Sequence, residues 1–149
     1  MSTGAGPGVS ELSPEDSWNV LAENDDAVLV DVRTRPEWAF VGLPNLESVG
    51  RRLVLAEWRH FPDMAVNTSF AEAVQEECGG RLPATMLFIC RSGARSLEAA
   101  RHVAAWARAR GQEVQCINVA EGFEGDLNDD RHRGEGNGWK ARGLPWRQT

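Results

Sequence analysis

Met86-Leu87-Phe88-Ile89-Cys90-Arg91-Ser92-Gly93-Ala94-Arg95-Ser96 is the stretch from which the rest of this chain is read. An apolar run stops at a cysteine, a loop of small and cationic residues follows, and Leu97 to Arg110 then carries helical spacing. Leu97, Ala100, Val103, Ala104 and Ala107 share one side of that helix, with Glu98, Arg101, His102 and Arg108 mostly on the other. The spacing predicts a strand, a tight loop and a helix start meeting at one thiol. N–H groups at a helix start have no intrahelical acceptor and carry partial positive charge, so a cysteine facing them has its thiolate stabilised. Arg91 and Arg95 push the same way.

Outward from this stretch, strand and helix signals alternate. Ser13-Pro14-Glu15-Asp16 has the order of a helix start, with the helix running to about Asn24. Ala27 to Arg33 is a continuous apolar run with polar bounds, the pattern of a parallel strand buried on both faces. Asp31 and Arg33 fall at its C-terminal end, where open α/β sheets place their ligands, and read as an ion pair supporting the loop. Pro36 to Val41 reads as a short helix and Gly42-Leu43-Pro44-Asn45 as a turn. A strand between Ser48 and Trp58 is weakly marked, because Gly50-Arg51-Arg52 interrupts it. Asn67 or Thr68 caps a helix through Glu77 that ends at Gly79-Gly80. Val114 to Val119 is another buried-type strand, and Glu121-Gly122-Phe123 a turn. Residues 125–138 form a polar, Gly-rich loop, and Trp139 to Trp146 folds back because two tryptophans and Leu144 are poorly left in water. The alternation argues for an α/β domain with a mainly parallel sheet. Residues 1–8 read as a flexible tail and residues 9–149 as one domain.

Composition narrows the function classes. The chain has 149 residues, 42% hydrophobic and 26% charged, with a net charge of −6. That balance excludes a general nucleic-acid surface, which needs locally dominant Lys and Arg. No apolar stretch approaches the roughly 20 residues that cross a bilayer. Three cysteines, Cys78, Cys90 and Cys116, make no disulfide framework, and a reducing cytoplasm is the expected setting. Cys116 reads as core and Cys78 as a half-exposed bystander, with a role as a second thiol resolving a persulfide left open. His60, His102 and His132 lack ligand spacing, so no metal is expected.

Two chemistries use a thiolate cradled by amides: sulfur transfer through a cysteine persulfide and phosphoryl transfer through a phosphocysteine. Ser92, Gly93 and Ala94 are small enough for the loop to curl with its amides inward. Arg95 follows Cys90 after four residues, one fewer than in the phosphate loop of cysteine-dependent phosphatases. The smaller ring suits one extra sulfur better than a tetrahedral phosphate.

Cys90-Arg91-Ser92-Gly93-Ala94-Arg95-Ser96 resembles the active loop of single-domain rhodaneses, and weaker likenesses follow in the family's order. Leu29-Val30-Asp31-Val32-Arg33 with Glu37-Trp38 resembles the first signature. Asn118-Val119 with Gly122-Phe123, and Gly138-Trp139 with Gly143-Leu144-Pro145, resemble the later ones. Phe40-Val41-Gly42-Leu43-Pro44-Asn45 departs from the family pattern, and the segment from Glu47 to Asp63 is longer and richer in Trp and Arg. The resemblance implies a central, mainly parallel five-stranded sheet flanked by helices on both faces. It implies a sulfurtransferase in which Cys90 takes the outer sulfur of a donor such as thiosulfate and yields it to a thiol, to cyanide or to a sulfur-relay protein. Arg91 and Arg95 would draw the anionic donor, the amides from Arg91 to Ser96 would hold the persulfide, and the Ser96 hydroxyl would donate to sulfur or cap the helix. A persulfide carrier or regulatory binding module without catalysis of its own is the alternative, with phosphoester hydrolysis behind it. Neither cofactor nor membrane is implied.

Overall fold

The computed structural model describes residues 3–6 and 8–148. In chain order the elements are β1 (Thr3–Gly6), β2 (Val9–Leu12), α1 (Pro14–Glu23), β3 (Ala27–Asp31), α2 (Arg35–Phe40) and β4 (Leu43–Pro44). A 3-10 turn (Glu47–Val49), β5 (Arg52–Leu55), β6 (Arg59–His60), β7 (Ala65–Val66) and α3 (Phe70–Glu77) follow. The chain ends with β8 (Thr85–Ile89), α4 (Ala94–Ala109), β9 (Gln115–Val119) and β10 (Trp146–Arg147). The main sheet runs β1-β2-β9-β8-β3-β5, its last five strands mutually parallel and β1 antiparallel at the edge. This is the α/β architecture, five parallel strands between helices, expected of a rhodanese-like domain.

Strict alternation explains why the strands read as continuous apolar runs. Val28 and Val30 of β3 lie in register with Met86 and Phe88 of β8, and these with Cys116 and Asn118 of β9. That face packs on Phe70 and Val74 of α3 and on Ala100, Val103 and Ala107 of α4. Leu29, Leu87, Ile89, Ile117 and Val119 point the other way, onto Leu21 of α1, Phe123 and Trp139. Each fully buried side chain of this size stabilises the fold by about 1.5–3 kcal/mol.

Several elements differ from the sequence expectation. Thr3–Gly6 lies within the stretch read as a tail, yet pairs with β2 through main-chain bonds that leave no side-chain pattern. Leu43–Pro44, expected as part of a turn, pairs antiparallel with β10. The segment after β5 folds into a small hairpin, Arg59 opposite Val66 and His60 opposite Ala65. The helix expected to be capped at Asn67 or Thr68 begins at Phe70, because the Asn67 side chain accepts the Ser69 N–H instead and turns the chain first. Helix α1 is capped by Ser13 as expected, its hydroxyl accepting the Asp16 N–H at 3.1 Å.

Candidate active site

The C-terminal ends of β3, β8 and β9 converge, and Cys90 sits between them. Beyond the regular strands, the Val32 N–H reaches the Ile89 carbonyl at 2.9 Å and the Phe123 N–H reaches the Cys90 carbonyl at 2.8 Å. Cys90 is therefore gripped on both sides by backbone. It is 1% exposed, buried beneath its loop rather than at the surface. Helix α4 begins four residues later, and the N–H groups of its first turn have no acceptor within the helix.

Two groups reach the thiol sulfur. Gly93 N–H donates to Cys90 Sγ at 3.1 Å, and Ser96 Oγ lies 3.2 Å from it. Gly93 holds φ +115°, a conformation that side chains rarely adopt, and this turns its amide inward. Ser96 is fully buried and also meets Asn118 Oδ1 at 2.5 Å; Asn118 Nδ2 in turn donates to Glu11 Oε2 at 2.7 Å and to the Gly93 carbonyl at 3.1 Å. Glu11 and Asn118 are register partners on adjacent parallel strands, so their side chains leave the sheet on the same face. Glu11 was not legible as a site residue. Asn118 left two signals, its place in the later likeness and a polar side chain at a core-facing position of an apolar strand.

The two arginines of the loop part company. Arg91 is exposed. Arg95, expected to draw the donor, makes a fork with Glu37 of α2, Nη1 to Oε1 at 2.8 Å and Nη2 to Oε2 at 2.9 Å. Burial works against the Glu37 carboxylate, but the Arg95 bonds and charge, with two donors from Thr34, outweigh it and hold the carboxyl below its ordinary range. The first turn of α4 is thereby tied to α2. Ser92 and Ala94 complete the loop, half-buried and exposed.

Asp31 and Arg33 form the ion pair expected of them. Both are fully buried, with Nε to Oδ1 at 2.9 Å and Nη2 to Oδ2 at 2.6 Å. Arg33 also donates to the Gly42 carbonyl at 2.8 Å and stacks 4.5 Å over the Phe123 ring. The pair thus braces the Gly122–Phe123 turn that touches Cys90. Glu121, just before that turn, is clamped by both Arg142 and the Gly138 N–H, which hold its carboxyl low.

The other cysteines lie apart from this arrangement. Burial pushes the Cys116 thiol up to about 12, which leaves it a core side chain at neutral pH. Burial also raises Cys78, half-buried after α3. Among the described residues no cluster of His, Cys, Asp and Glu is placed to hold a metal, and no helix is long and apolar enough to cross a membrane.

Comparisons with known proteins cover nearly the whole chain. An uncharacterized protein of Rickettsia rickettsii is 34% identical over 138 residues, 93% of this chain and 97% of the relative. The crystal structure of Rv0390 from M. tuberculosis is 42% identical with a TM-score of 0.79, covering 93% of this chain and 97% of that one. This chain belongs to their family. No protein-family model matches it. The homodimeric polysulfide-sulfur transferase of Wolinella succinogenes, at 21% identity and a TM-score of 0.54, covers 97% of this chain and 82% of its own, a likeness of fold. In this family member the convergence of three strand ends on Cys90 follows from the parallel sheet, which gathers its C-terminal loops on one edge.

Proposed function

We propose that the chain is a rhodanese-type sulfurtransferase working through a persulfide on Cys90. The observation that carries this is Cys90 Sγ accepting the Gly93 N–H at 3.1 Å, before the first turn of α4, in a loop one residue shorter than that of cysteine-dependent phosphatases. The Cys90 thiolate attacks the outer sulfur of a donor such as thiosulfate. The sulfur–sulfur bond of the donor breaks, sulfite leaves with the bonding pair, and a persulfide anion stays on Cys90. A thiolate or cyanide then attacks the outer sulfur and returns Cys90 as thiolate. The free amides of the loop and first turn stabilise the persulfide, in the role donors play toward developing anions. Arg91, exposed and outside the Glu37 fork, draws the anionic donor, while Arg95 chiefly fixes the loop. The setting is cytoplasmic and the donor small, in keeping with a thiol 1% exposed.

A second reading, delivery to or from a sulfur-relay protein, has one observation in its favour. Phe40 at 82% and Phe61 at 57% exposure flank a recess of about 470 Å³ beside α2, the helix tied to the active loop through Glu37. Incubation with thiosulfate followed by intact mass measurement separates the readings. Gain of one sulfur, lost in Cys90→Ser, is the expected result. Gain from a persulfidated protein but from no small donor supports the carrier reading, and Cys90-dependent hydrolysis of a phosphate ester overturns both.

A further inference from the structure

The Ser96 hydroxyl has one proton and three acceptors within reach. Asn118 Oδ1 is 2.5 Å away, while Cys90 Sγ and the Gly93 carbonyl are each at 3.2 Å. Asn118 cannot rotate its amide to change this. Its Nδ2 faces two oxygens that only accept, the Glu11 carboxylate at 2.7 Å and the Gly93 carbonyl at 3.1 Å, so Oδ1 must point at Ser96. The shortest contact takes the proton, and the Ser96 oxygen then turns a lone pair toward the thiol.

We infer that Ser96 accepts the Cys90 S–H in the resting protein, and that Glu11 and Asn118 are positioning residues that enforce this direction. The consequence reverses the role expected of Ser96. A hydroxyl that accepts from Cys90 favours the protonated thiol, whereas one that donates would favour the thiolate. Once Cys90 carries a second sulfur, Sγ has no proton to offer and the contact with Ser96 is lost. The chain Glu11–Asn118–Ser96 therefore biases the site toward the discharged thiol and opposes idle loading. This deepens the proposed sulfur transfer and rests on Cys90 being its reactive thiol.

The other charged groups around the thiol are accounted for. Arg95 of α4 is paired with Glu37 of α2, and Asp31 with Arg33 after β3. Arg91 is exposed on the loop, and Glu121 of the facing turn is paired with Arg142. None of these ion pairs includes Glu11, Asn118 or Ser96, so the network can be altered separately.

The test is the rate of Cys90 alkylation by iodoacetamide as a function of pH, followed on the Cys90 peptide of the full chain; this readout needs no sulfur transfer and can fail independently of it. Ser96→Ala keeps α4, since alanine is the better helix former. It removes the acceptor, so the alkylation midpoint moves to lower pH and the rate just below the wild-type midpoint rises about two- to tenfold, the scale of one hydrogen bond. Ser96→Thr restores the wild-type profile. Glu11→Gln weakens one of the two acceptors that hold Asn118 Nδ2, the Gly93 carbonyl being the other, so it loosens the direction of the chain and shifts the midpoint the same way by less than Ser96→Ala. That shift disappears in the Ser96→Ala background if it runs through Ser96, and persists there if it is only the loss of a charge. A midpoint that moves to higher pH in Ser96→Ala overturns the inference, because Ser96 would then be a donor to the thiolate. A persistent Glu11→Gln shift removes Glu11 from it.

Discussion

Arg95 shows how a single side chain can be read correctly for type and differently for use. A cation near the thiol was expected to meet the donor, yet its guanidinium meets the Glu37 carboxylate, with both terminal nitrogens bonded. A fork of this kind positions as much as it attracts. Glu37→Gln should therefore cost about 1–3 kcal/mol at neutral pH, the scale of hydrogen bonds to a charged group. The Glu37 carboxyl sits below its ordinary 4.5 in the folded protein. Its stabilisation is thus complete above the unfolded value and is lost as pH falls through the folded one. Urea melts of wild type and Glu37→Gln should keep a constant gap near neutrality, and the gap should close as pH falls below the ordinary carboxylate range. A gap independent of pH would mean that the fork contributes packing rather than charge.

At the scale of elements, the Cys90 loop is held by turns as much as by its own strand and helix. Gly122 has φ +69°, and a Cβ there would lie 2.5 Å from the Arg91 carbonyl carbon and oxygen and 2.6 Å from the Cys90 carbonyl oxygen. Backbone cannot yield at such distances, so the 121–123 turn approaches the loop as closely as it does only because residue 122 lacks a side chain. Gly122→Ala should displace the loop and lower the rate of the proposed sulfur transfer by about tenfold or more, the scale on which misplaced reacting groups lose rate, while the far-ultraviolet spectrum stays that of the wild type. An unchanged rate would show that the turn is a neighbour of the cradle and not part of its wall. The same turn is tied from behind, where Gly138 and Arg142 hold Glu121 and the Trp139 N–H reaches the Gly122 carbonyl at 2.9 Å. The polar loop over residues 125–138 thus spans between two anchored ends.

Over the whole molecule, the C-terminal segment closes the second face of the sheet. Trp139 is fully buried among Leu12, Ile117 and Phe123, meets Trp18 edge-on at 5.8 Å, and donates its indole N–H to the Pro145 carbonyl at 2.8 Å. Trp139→Ala should cost about 3–5 kcal/mol in denaturant melts, as large aromatic truncations in cores do, and should speed proteolysis after Phe123. A loss below about 1 kcal/mol would place the segment outside the cooperative unit. Much of this molecule was legible beforehand. The strands Ala27–Asp31 and Thr85–Ile89, the helix after Cys90 and the fold-back of Trp139 are written in apolar periodicity, which burial imposes directly. The hairpin of β6 and β7, the edge strand β1 and the β4–β10 pairing were not, since short strands bonded mainly through backbone leave little side-chain pattern. For the site, sequence alone determined the candidate thiol, the number of residues in its loop and the Asp31–Arg33 pair, because spacing along one chain dictates them. Tertiary structure alone decided that Arg95 belongs to Glu37, and that Glu11 and Asn118 stand behind Ser96. Those partners come from strands and helices distant in sequence, and only the parallel register that sets Glu11 beside Asn118 brings them to one sulfur.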